Sequence, residues 1–470
     1  MSHARTAGFK RLTRLERARE RLLGIVPPVE RTERLRLPAA GGRALAEPIE
    51  SPRNVPGYRR AAMDGYAVRV TDTAGAGARS PVVLREDDAV GHGRAVPVHT
   101  GSEVPEGADA VVRIEDCAVL DGGASPVGGP GEASDDTGRT DEKGRTGDDP
   151  KRTGAARVEV FDAVAPGENV APVGEDVGEG QRLFGAGHRL RSSDLGLLRS
   201  VGIGEVEVVE RPAAAVVPTG EELVESDPEP GETIETNGLT VSRYVERWGG
   251  RATRRRIVAD DPGALRAAIQ RDLTRDLLVL TGGSSVGERD RVPEVVGELG
   301  EVVVHGVGIR PGHPAGFGIV EGVPVLLLPG YPVACIVAAV ELLRPALKRA
   351  GRLPLDPHPT TTARLDRKLA SEVGVRTFAR VALHPGEADG TSVDEGRTGG
   401  DGAHPSTAGS DADASRERDE PLAVAEPVRA GGAGVLSSVA LADGWVVVPE
   451  PREGIPAGET VAVEHRERWA

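Results

Sequence analysis

The chain is poor in cysteine and in long apolar runs, and each shortage argues against a class of protein. The 470 residues include two cysteines, Cys117 and Cys335, which lie far apart and lack paired spacing. This argues against a disulfide framework and a cysteine zinc site, and a reducing compartment is expected. No apolar run reaches about 18 residues, and the basic N-terminal residues run into an amphipathic pattern. We therefore expect a soluble, cytoplasmic protein without a membrane span or secretory signal.

Lysine is also scarce, because arginine supplies all but five of the 58 basic residues. The formal net charge is -15, which argues against a nucleic-acid binder, since such a protein needs a basic face to neutralise phosphates. Excess acid with little lysine is typical of a cytoplasmic protein from a salt-loving organism. A GC-rich genome is the alternative explanation. Binding of a small anion remains possible, but it requires a local positive pocket.

The length predicts three or four domains, since a single core rarely serves so many residues. Leu12, Leu15, Ala18, Leu22 and Leu23 recur at helical spacing and predict a helix of about three turns. Residues 120 to 156 and about 385 to 420 are rich in Gly, Asp, Thr and Ser and contain little to bury. We interpret both segments as disordered, solvated inserts.

Between about residues 211 and 345, strand-like and helix-like segments alternate. One of the helices has Asp261 as its predicted N-cap, followed by Pro262 at the first helical position. Such alternation predicts a parallel sheet covered by helices on both faces. Ligands of these sheets bind at the carboxyl ends of the strands.

Two loops in this region have the composition of anion-binding turns. "TGGSSVGERD", Thr281 to Asp290, follows a strand, and its glycines and serines suit a phosphate or another oxyanion. It lacks the Lys-Ser/Thr ending of a nucleotide P-loop, and a tight structural turn is the alternative. "LPGYPVAC", Leu328 to Cys335, is a second strand-to-helix turn, with Pro332 at the first helical position.

A third segment, "VGIRPGHP", is a stiff cationic loop that projects Arg310 and His313. Carboxylates recur in several other loops, at Asp64, Asp176, Glu222, Asp260, Asp261 and Asp290. If these loops converge, hard oxygen ligands would lie beside anion-binding amides, where a magnesium ion bridges protein and phosphate. Spacing alone leaves open the alternative that they are separate turns and caps.

Seven motifs in order resemble one family. "MDGYAV", "HTGSEVPEGADAVV", "GEDV", "TGEEL", "TGGSSVGERD", "IRPGHPAGFG" and "LPGYPV" resemble the molybdopterin molybdenumtransferases of the MoeA and gephyrin E-domain type. The similarity covers most of residues 12 to 352 apart from the first insert, with a weaker tail to 470.

The resemblance implies a multidomain α/β plus β fold. Its central part would be an α/β molybdopterin-binding, MogA-like domain at 211–352. The implied surroundings are an elongated N-terminal domain at 1–58 and 165–210, an inserted small β domain at 59–164, and a C-terminal β-barrel at 353–470. A homodimer with its active cleft between subunits is also implied, with a molybdopterin adenylyltransferase as the substrate donor.

The implied reaction inserts molybdenum from molybdate into adenylylated molybdopterin, with Mg²⁺-assisted release of AMP. Carried over by motif, the catalytic carboxylates are Asp64, Asp176, Glu222 and Asp290, and the metal ligands are Asp290, Glu222 and Asp261, with Asp260 as the alternative to Asp261. The implied cofactor-binding residues are Thr100, Gly282, Gly283, Ser284, Ser285, Arg310, His313, Pro329, Gly330 and Pro332. In the last domain Arg376, Arg380 and Ser437 or Ser438 fall near family positions that assist the anion.

The departures from the family pattern cluster where the family binds molybdate. Arg310 and His313 stand where "KPGKP" has lysines, and Tyr331 and Ala334 interrupt "PGNPVS". The serine usual before "MDG" is Ala61. Arginine and histidine are not equivalent to a compact ammonium group. An active transferase is our first expectation; the alternatives are a molybdopterin-binding paralogue with a scaffold role, or the same chemistry with tungstate.

Overall fold

The computed structural model describes residues 12–120, 156–282, 291–386, 422–428 and 434–467. The chain forms two compact units, one made of residues 1–47, 186–191 and 206–470, the other of residues 48–185 and 192–205. The two predicted inserts lie almost wholly outside the described residues. None of the described helices is long and apolar enough to cross a membrane.

The predicted first helix is present, although it begins at Leu15 instead of Leu12 and includes Gly24. They run Leu15–Ile25 (α1), Leu37–Ala40 (α2), Ser192–Ser200 (α3), Asn237–Arg247 (α4), Pro262–Arg271 (α5), Val292–Leu299 (α6), Pro332–Ala338 (α7), Arg344–Ala350 (α8) and Ser437–Ala440 (α9). A π-helical turn, Ala339–Leu343, joins α7 to α8 in one long helix. Short 3-10 turns cover Val70–Asp72 and Ile114–Asp116.

The strands are short and fall into several sheets. In chain order they run Thr32–Arg36 (β1), Ile49–Glu50 (β2), Arg60–Ala61 (β3), Gly65–Val68 (β4), Val82–Glu86 (β5), Arg94–Val98 (β6), Ala110–Arg113 (β7), Cys117–Val119 (β8), Arg157–Val160 (β9), Val170–Ala171 (β10), Arg182–Phe184 (β11), Glu205–Val209 (β12), Ala213–Pro218 (β13), Leu223–Val224 (β14), Thr233–Ile234 (β15), Arg251–Arg254 (β16), Leu277–Thr281 (β17), Glu301–His305 (β18), Ile309–Arg310 (β19), Gly316–Val320 (β20), Val323–Leu328 (β21), Thr360–Leu365 (β22), Leu369–Ala370 (β23), Arg376–His384 (β24), Ala423–Pro427 (β25), Gly444–Val448 (β26), Gly454–Ile455 (β27) and Thr460–Glu464 (β28).

The first unit contains a six-stranded α/β sheet in the order β16, β13, β17, β21, β20, β18. Its side chains alternate between two cores, as a buried strand requires. Ala214 and Val216 pack in the core that α1, α4, α7 and α8 cover. Ala215 and Val217 pack in the other core, under α5 and α6. The prediction that helices cover both faces is confirmed.

The expectation of a parallel sheet holds for β16, β13, β17 and β21 but is wrong for β20. Strand β20 is antiparallel to both β21 and β18. Glu321 and Gly322 join β20 to β21 with φ angles of +47° and +84°. Two consecutive left-handed residues make the tight hairpin turn that antiparallel neighbours need. A connection of this kind leaves no room for the crossover helix of a parallel pair.

The same unit ends in a closed barrel of five strands. Pairing runs from β24 to β25, β22, β28 and β26 and returns to β24. The interior holds small and branched side chains such as Leu365, Val381 and Val463. Closure removes the exposed strand edges. Strand β19 adds to the outside of β24 in parallel, with Ile309 opposite Arg376.

The second unit is built on a β sheet in the order β7, β4, β6, β5, β9, β8. Tyr66, Val68, Leu84 and Val158 are among the side chains that fill its core. Strands β8 and β9 pair antiparallel on either side of the first predicted insert. Together, the two units have the α/β plus β fold class that the sequence predicts.

Candidate active site

Three of the predicted loops begin side by side at the carboxyl edge of the α/β sheet. The register places Pro218 opposite Thr281, and Thr281 opposite Leu328. Beyond the strands, the Thr219 amide donates to the Thr281 carbonyl at 2.8 Å, and the Gly282 amide donates to the Leu328 carbonyl at 3.0 Å. The loops that follow β13, β17 and β21 therefore leave the sheet at one place, where open α/β sheets bind their ligands.

Gly282 is required by the close approach of two of these loops. A Cβ atom at this position would lie 2.0 Å from the carbonyl oxygen of Thr219, and the residue has a φ of +111°. Only glycine meets both conditions at no steric cost. The rest of the predicted phosphate loop, including Gly283, Ser284, Ser285 and Asp290, lies outside the described residues.

Buried polar atoms at this edge lack hydrogen-bond partners among the described residues. They are the hydroxyl oxygens of Thr219 and Thr281, which are 0% and 1% exposed, and Oδ1 of Asp260. Buried polar groups are nearly always paired in folded proteins, with protein atoms, water or a ligand. These three atoms therefore give the edge unused hydrogen-bonding capacity that suits a polar ligand.

The two neighbouring aspartates at this edge have different roles. Asp261 is the N-cap of α5, where its carboxylate accepts from the Ala264 amide at 2.8 Å, as the sequence predicts. Burial raises the pKa of Asp260, and the nearby charges of Glu222 and Glu221 raise it further. A carboxylate that is destabilised by burial and by like charges favours a bound cation. Of the two, Asp260 therefore fits a cation better than Asp261.

The described residues contain no group of three or more His, Cys, Asp or Glu side chains arranged to hold a metal ion. Asp290, a predicted ligand, lies in the undescribed part of the loop after β17. Among the described carboxylates, Asp260 interacts electrostatically with Glu222 and Glu221, and oxygen ligands of this kind suit a hard divalent cation.

The amino end of α7 adjoins these loops. Pro332 occupies its first position, as predicted, and the first amides of a helix point outward without intrahelical partners. The side-chain amide of Asn237 donates to the Gly330 carbonyl at 2.7 Å and ties this turn to the start of α4. A Cβ on Gly330 would lie 3.5 Å from Gly282. The sequence reasoning did not identify Asn237, although an asparagine where a helix begins after a loop is a recognisable signal.

Four of the positions that depart from the family pattern, Arg310, His313, Tyr331 and Ala334, lie on two segments that touch each other. A Cβ on Gly312 would meet the Ala334 carbonyl oxygen at 3.2 Å, so the loop carrying Arg310 and His313 touches the start of α7. Tyr331 is 67% exposed, and its ring lies 3.4 Å from where a Cβ on Gly434 would be.

The Arg310 guanidinium forms an ion pair with Glu372, a residue that the sequence did not single out. Both side chains are about half exposed. Burial lowers the pKa of His313, and the positive charge of Arg310 lowers it further. The cationic loop therefore carries one paired arginine and a histidine that resists protonation.

Two arginines of the barrel differ in their surroundings. Arg376 forms ion pairs with Glu16 and, at 2.9 Å, with Glu450, and these carboxylates raise its pKa. Arg380 is buried, and burial lowers its pKa. Ser438 is also buried and donates to the Val435 carbonyl at 2.7 Å, so its hydroxyl proton is already committed.

In the second unit, the structure brings Asp64 and Thr100 together. Thr100 donates to Asp64 Oδ1 from its amide at 2.6 Å and from its hydroxyl at 2.9 Å. These two bonds, the backbone one first, lower the pKa of Asp64. The next residue must be glycine, because a Cβ on Gly65 would lie 1.9 Å from the Val112 carbonyl oxygen. Asp176 is exposed on a separate turn of this unit.

Comparison with known proteins gives matches along most of the chain. Residues 13–202 match the MoeA N-terminal region (domain I and II), residues 215–349 a probable molybdopterin-binding domain, and residues 414–465 the MoeA C-terminal region (domain IV). A Methanocaldococcus jannaschii protein named for molybdopterin biosynthesis is 32% identical over 434 residues, which cover 90% of this chain and 89% of the relative. This chain belongs to the MoeA family.

Other MoeA relatives agree in sequence and fold. The molybdopterin molybdenumtransferase of Haemophilus influenzae is 27% identical and covers 96% of this chain and 98% of its own length. The crystal structure of the molybdopterin biosynthesis MoeA protein from Pyrococcus horikoshii superposes with a TM-score of 0.71 at 29% identity, covering 98% of this chain and all of that one. The family and fold class predicted from the seven motifs are confirmed, and the departures at 310, 313, 331 and 334 belong to a MoeA protein.

Proposed function

We propose that this chain is a molybdopterin molybdenumtransferase that inserts molybdate-derived molybdenum into adenylylated molybdopterin, with Mg²⁺-dependent release of AMP. The observation that carries the proposal is the meeting of the loops after β13, β17 and β21 with the start of α7 and the Arg310 loop. This meeting of loops supports a site in which glycine amides, unpaired hydroxyls, carboxylates and an arginine act together. Each is needed for a reaction between two anions.

The phosphate and pterin are proposed to bind along the loop after β17 and the turn before α7. Gly282, Gly283, Ser284 and Ser285 would meet the phosphate, and Pro329, Gly330 and Pro332 would present the helix amides. The unpaired hydroxyls of Thr219 and Thr281 support a polar ligand at this edge. Arg310 and His313 would face molybdate from the adjoining loop, where a guanidinium fork can bind a tetrahedral oxyanion through two hydrogen bonds.

Asp260, Glu222 and Asp290 are proposed to hold magnesium, with Asp261 assigned to capping α5 rather than to the metal. When bound, magnesium would polarise the phosphate ester. The residues of this chain would supply the rest of the catalysis. Amides at the β17 loop and at α7 would donate hydrogen bonds to the developing negative charge, and the half-buried Asp260 would favour the cation over the proton.

Asp64, Thr100 and Asp176 are proposed to complete the site as a homodimer forms, with a molybdopterin adenylyltransferase as the donor. The lowered pKa of Asp64 supports this, because the carboxylate stays ionised to a lower pH than an ordinary aspartate does. We also propose the four-domain division at 1–58 with 165–210, 59–164, 211–352 and 353–470, and a cytoplasmic location.

The test is AMP release from purified protein supplied with adenylylated molybdopterin, molybdate and magnesium at high salt. Arg310→Ala should abolish molybdate-dependent turnover, whereas His313→Lys should preserve or raise it because it restores a permanent charge. Arg452→Ala is the matched control, since Arg452 pairs with Glu459 on the barrel. Absence of AMP release from the unaltered protein would refute the proposal, and tight pterin binding without release would favour a binding role.

A further inference from the structure

A pocket lies in the first unit, at the end of the α/β sheet opposite the candidate active site. Its volume is 140 Å³, and Pro212, immediately before β13, lines it. Gly249 after α4 and Gly351 after α8 line it as well. Strand β13 runs from Ala213 to Pro218 before it reaches the active-site loops, so roughly 17–20 Å of strand separates the two places.

The lining of this pocket is rich in positive charge. Arg43, Arg189, Arg211, Arg247 and Lys348 contribute to it, and we call the site the basic pocket. Such a concentration of positive charge is unusual for a chain with a net charge of -15.

The acidic residues of the basic pocket already have partners of their own. Glu210 pairs with Arg31 at 3.1 Å, and Glu246 pairs with Arg243 at 2.7 Å. Arg43 is also committed, because it donates to Glu33 at 2.6 Å and to the Val209 carbonyl.

Four cations therefore remain without an ion pair within the ranges that the structure describes. They are Arg189, Arg211, Arg247 and Lys348. The lining thus has five cations against two carboxylates, and each of these carboxylates pairs with an arginine outside the lining.

Lys348 is the decisive residue, because it lines the pocket and is only 3% exposed. Burial lowers its pKa to about 8, with the charges of Arg189 and Arg344 adding to the effect and the charge of Asp356 opposing it. Burying an ammonium group costs free energy, which the charge of Asp356 offsets only in part. An anion in the cavity would offset that cost and relieve the repulsion between Lys348 and Arg189.

We propose that the basic pocket binds a phosphate-bearing anion through Lys348, Arg189, Arg211 and Arg247, at a site separate from the candidate active site. Guanidinium and ammonium groups together match phosphoryl oxygens, because the planar forks give two parallel hydrogen bonds and the ammonium adds a point charge. A cavity of this volume admits a phosphate or a diphosphate group and excludes a nucleic acid.

The test is calorimetric titration of the full chain with inorganic pyrophosphate, and separately with inorganic phosphate, at fixed ionic strength and without magnesium. The unaltered protein should bind pyrophosphate at a saturable site. Lys348→Met keeps the apolar stem and removes the charge, and it should weaken binding at least about tenfold, since charge-assisted hydrogen bonds are lost. Arg211→Gln should act in the same direction; Arg211 is exposed, so this variant does not depend on repacking a core.

Two controls separate the basic pocket from other sites. Lys368→Met removes an exposed lysine of the barrel and should leave the affinity unchanged. Arg310→Ala should also leave it unchanged, because Arg310 belongs to the candidate active site. The proposal is overturned if pyrophosphate does not bind saturably, if Lys348→Met and Arg211→Gln bind as tightly as the unaltered protein, or if Arg310→Ala alone abolishes binding.

Discussion

At the scale of single residues, the ion pair between Arg310 and Glu372 is a competitor for the proposed substrate. Both side chains are about half exposed, and such pairs contribute about 0.2–1 kcal/mol. Glu372→Gln removes the competing charge while keeping the side-chain shape. We expect the KM for molybdate to fall about two- to fivefold with little change in kcat. Steady-state AMP release against molybdate concentration measures this.

The matched control for that variant is Glu459→Gln, which removes a barrel carboxylate that pairs with Arg452. Its KM should equal that of the unaltered protein. An unchanged or higher KM in Glu372→Gln would mean that Glu372 positions Arg310 for the anion instead of competing with it.

The Arg310–Glu372 pair also shows what a sequence cannot reveal at this scale. The motif around Arg310 predicted a cation beside an anion site, and the structure keeps that residue next to the start of α7. The partner lies 62 residues later, and the two meet because β19 adds in parallel to β24, with Arg310 opposite Thr377. The sequence around Glu372 contains no pattern that predicts this ion pair.

His358 gives the protein a defined sensitivity to acid. Burial, followed by the charges of Arg344 and Arg466, lowers its pKa to about 3 in the folded state. The unfolded chain, with a pKa near 6.5, binds the proton more readily, so stability from this group is present above that value and is lost as pH falls toward 3. His358→Gln should make the free energy of unfolding fall less steeply with pH, by up to the slope that one proton contributes, about 1.4 kcal/mol per pH unit. Urea unfolding at pH values between 6.5 and 4 measures the slope, and an unaltered slope contradicts the assignment.

At the scale of elements, the start of α5 separates capping from cation binding. Asp261→Ala removes the side-chain bond to the Ala264 amide and should lower the free energy of unfolding by about 1 kcal/mol. The magnesium concentration that Asp261→Ala needs for AMP release should equal that of the unaltered protein. Asp260→Ala removes a carboxylate whose pKa burial already raises, so it should raise the magnesium concentration needed for AMP release at little cost in stability.

Urea unfolding and a magnesium titration of both variants check this contrast. A loss of the magnesium response in Asp261→Ala, with none in Asp260→Ala, would return the metal role to Asp261.

The α/β elements were predictable from sequence because each has a strong local pattern. The apolar strands, the Asp261-Pro262 cap and the Pro332 helix start are all in the structure. The antiparallel direction of β20 was missed because its one signal is a two-residue turn, Glu321-Gly322. The apolar runs on either side of that turn fit a parallel strand as well as an antiparallel one. The convergence of the β13, β17 and β21 loops followed from the sheet, but the contacts of Asn237 and Gly434 depend on packing between distant segments.

At the scale of the whole molecule, a buried carboxylate joins distant parts of the first unit. Glu341 lies in the π-helical turn between α7 and α8 and is 2% exposed. Its carboxylate binds Arg19 of α1 and Arg466 beyond β28. Arg466 in turn lies 4.8 Å from the centre of the Phe378 ring, where its guanidinium makes a cation–π contact.

Glu341→Gln tests how much this junction contributes, because glutamine keeps the shape and removes the charge. Arg466 would remain buried, with Glu464 as its remaining carboxylate partner, and Arg19 would lose its ion pair. Removing one member of a buried ionic network typically costs about 3–5 kcal/mol. We therefore expect that loss in the free energy of unfolding. The control is Glu20→Gln, which breaks the exposed Arg17–Glu20 pair and should cost at most about 0.5 kcal/mol. Equal losses in the two variants would show that the network contributes no more than a surface pair, and that apolar packing around Phe378 and Trp445 holds the barrel to the long helix.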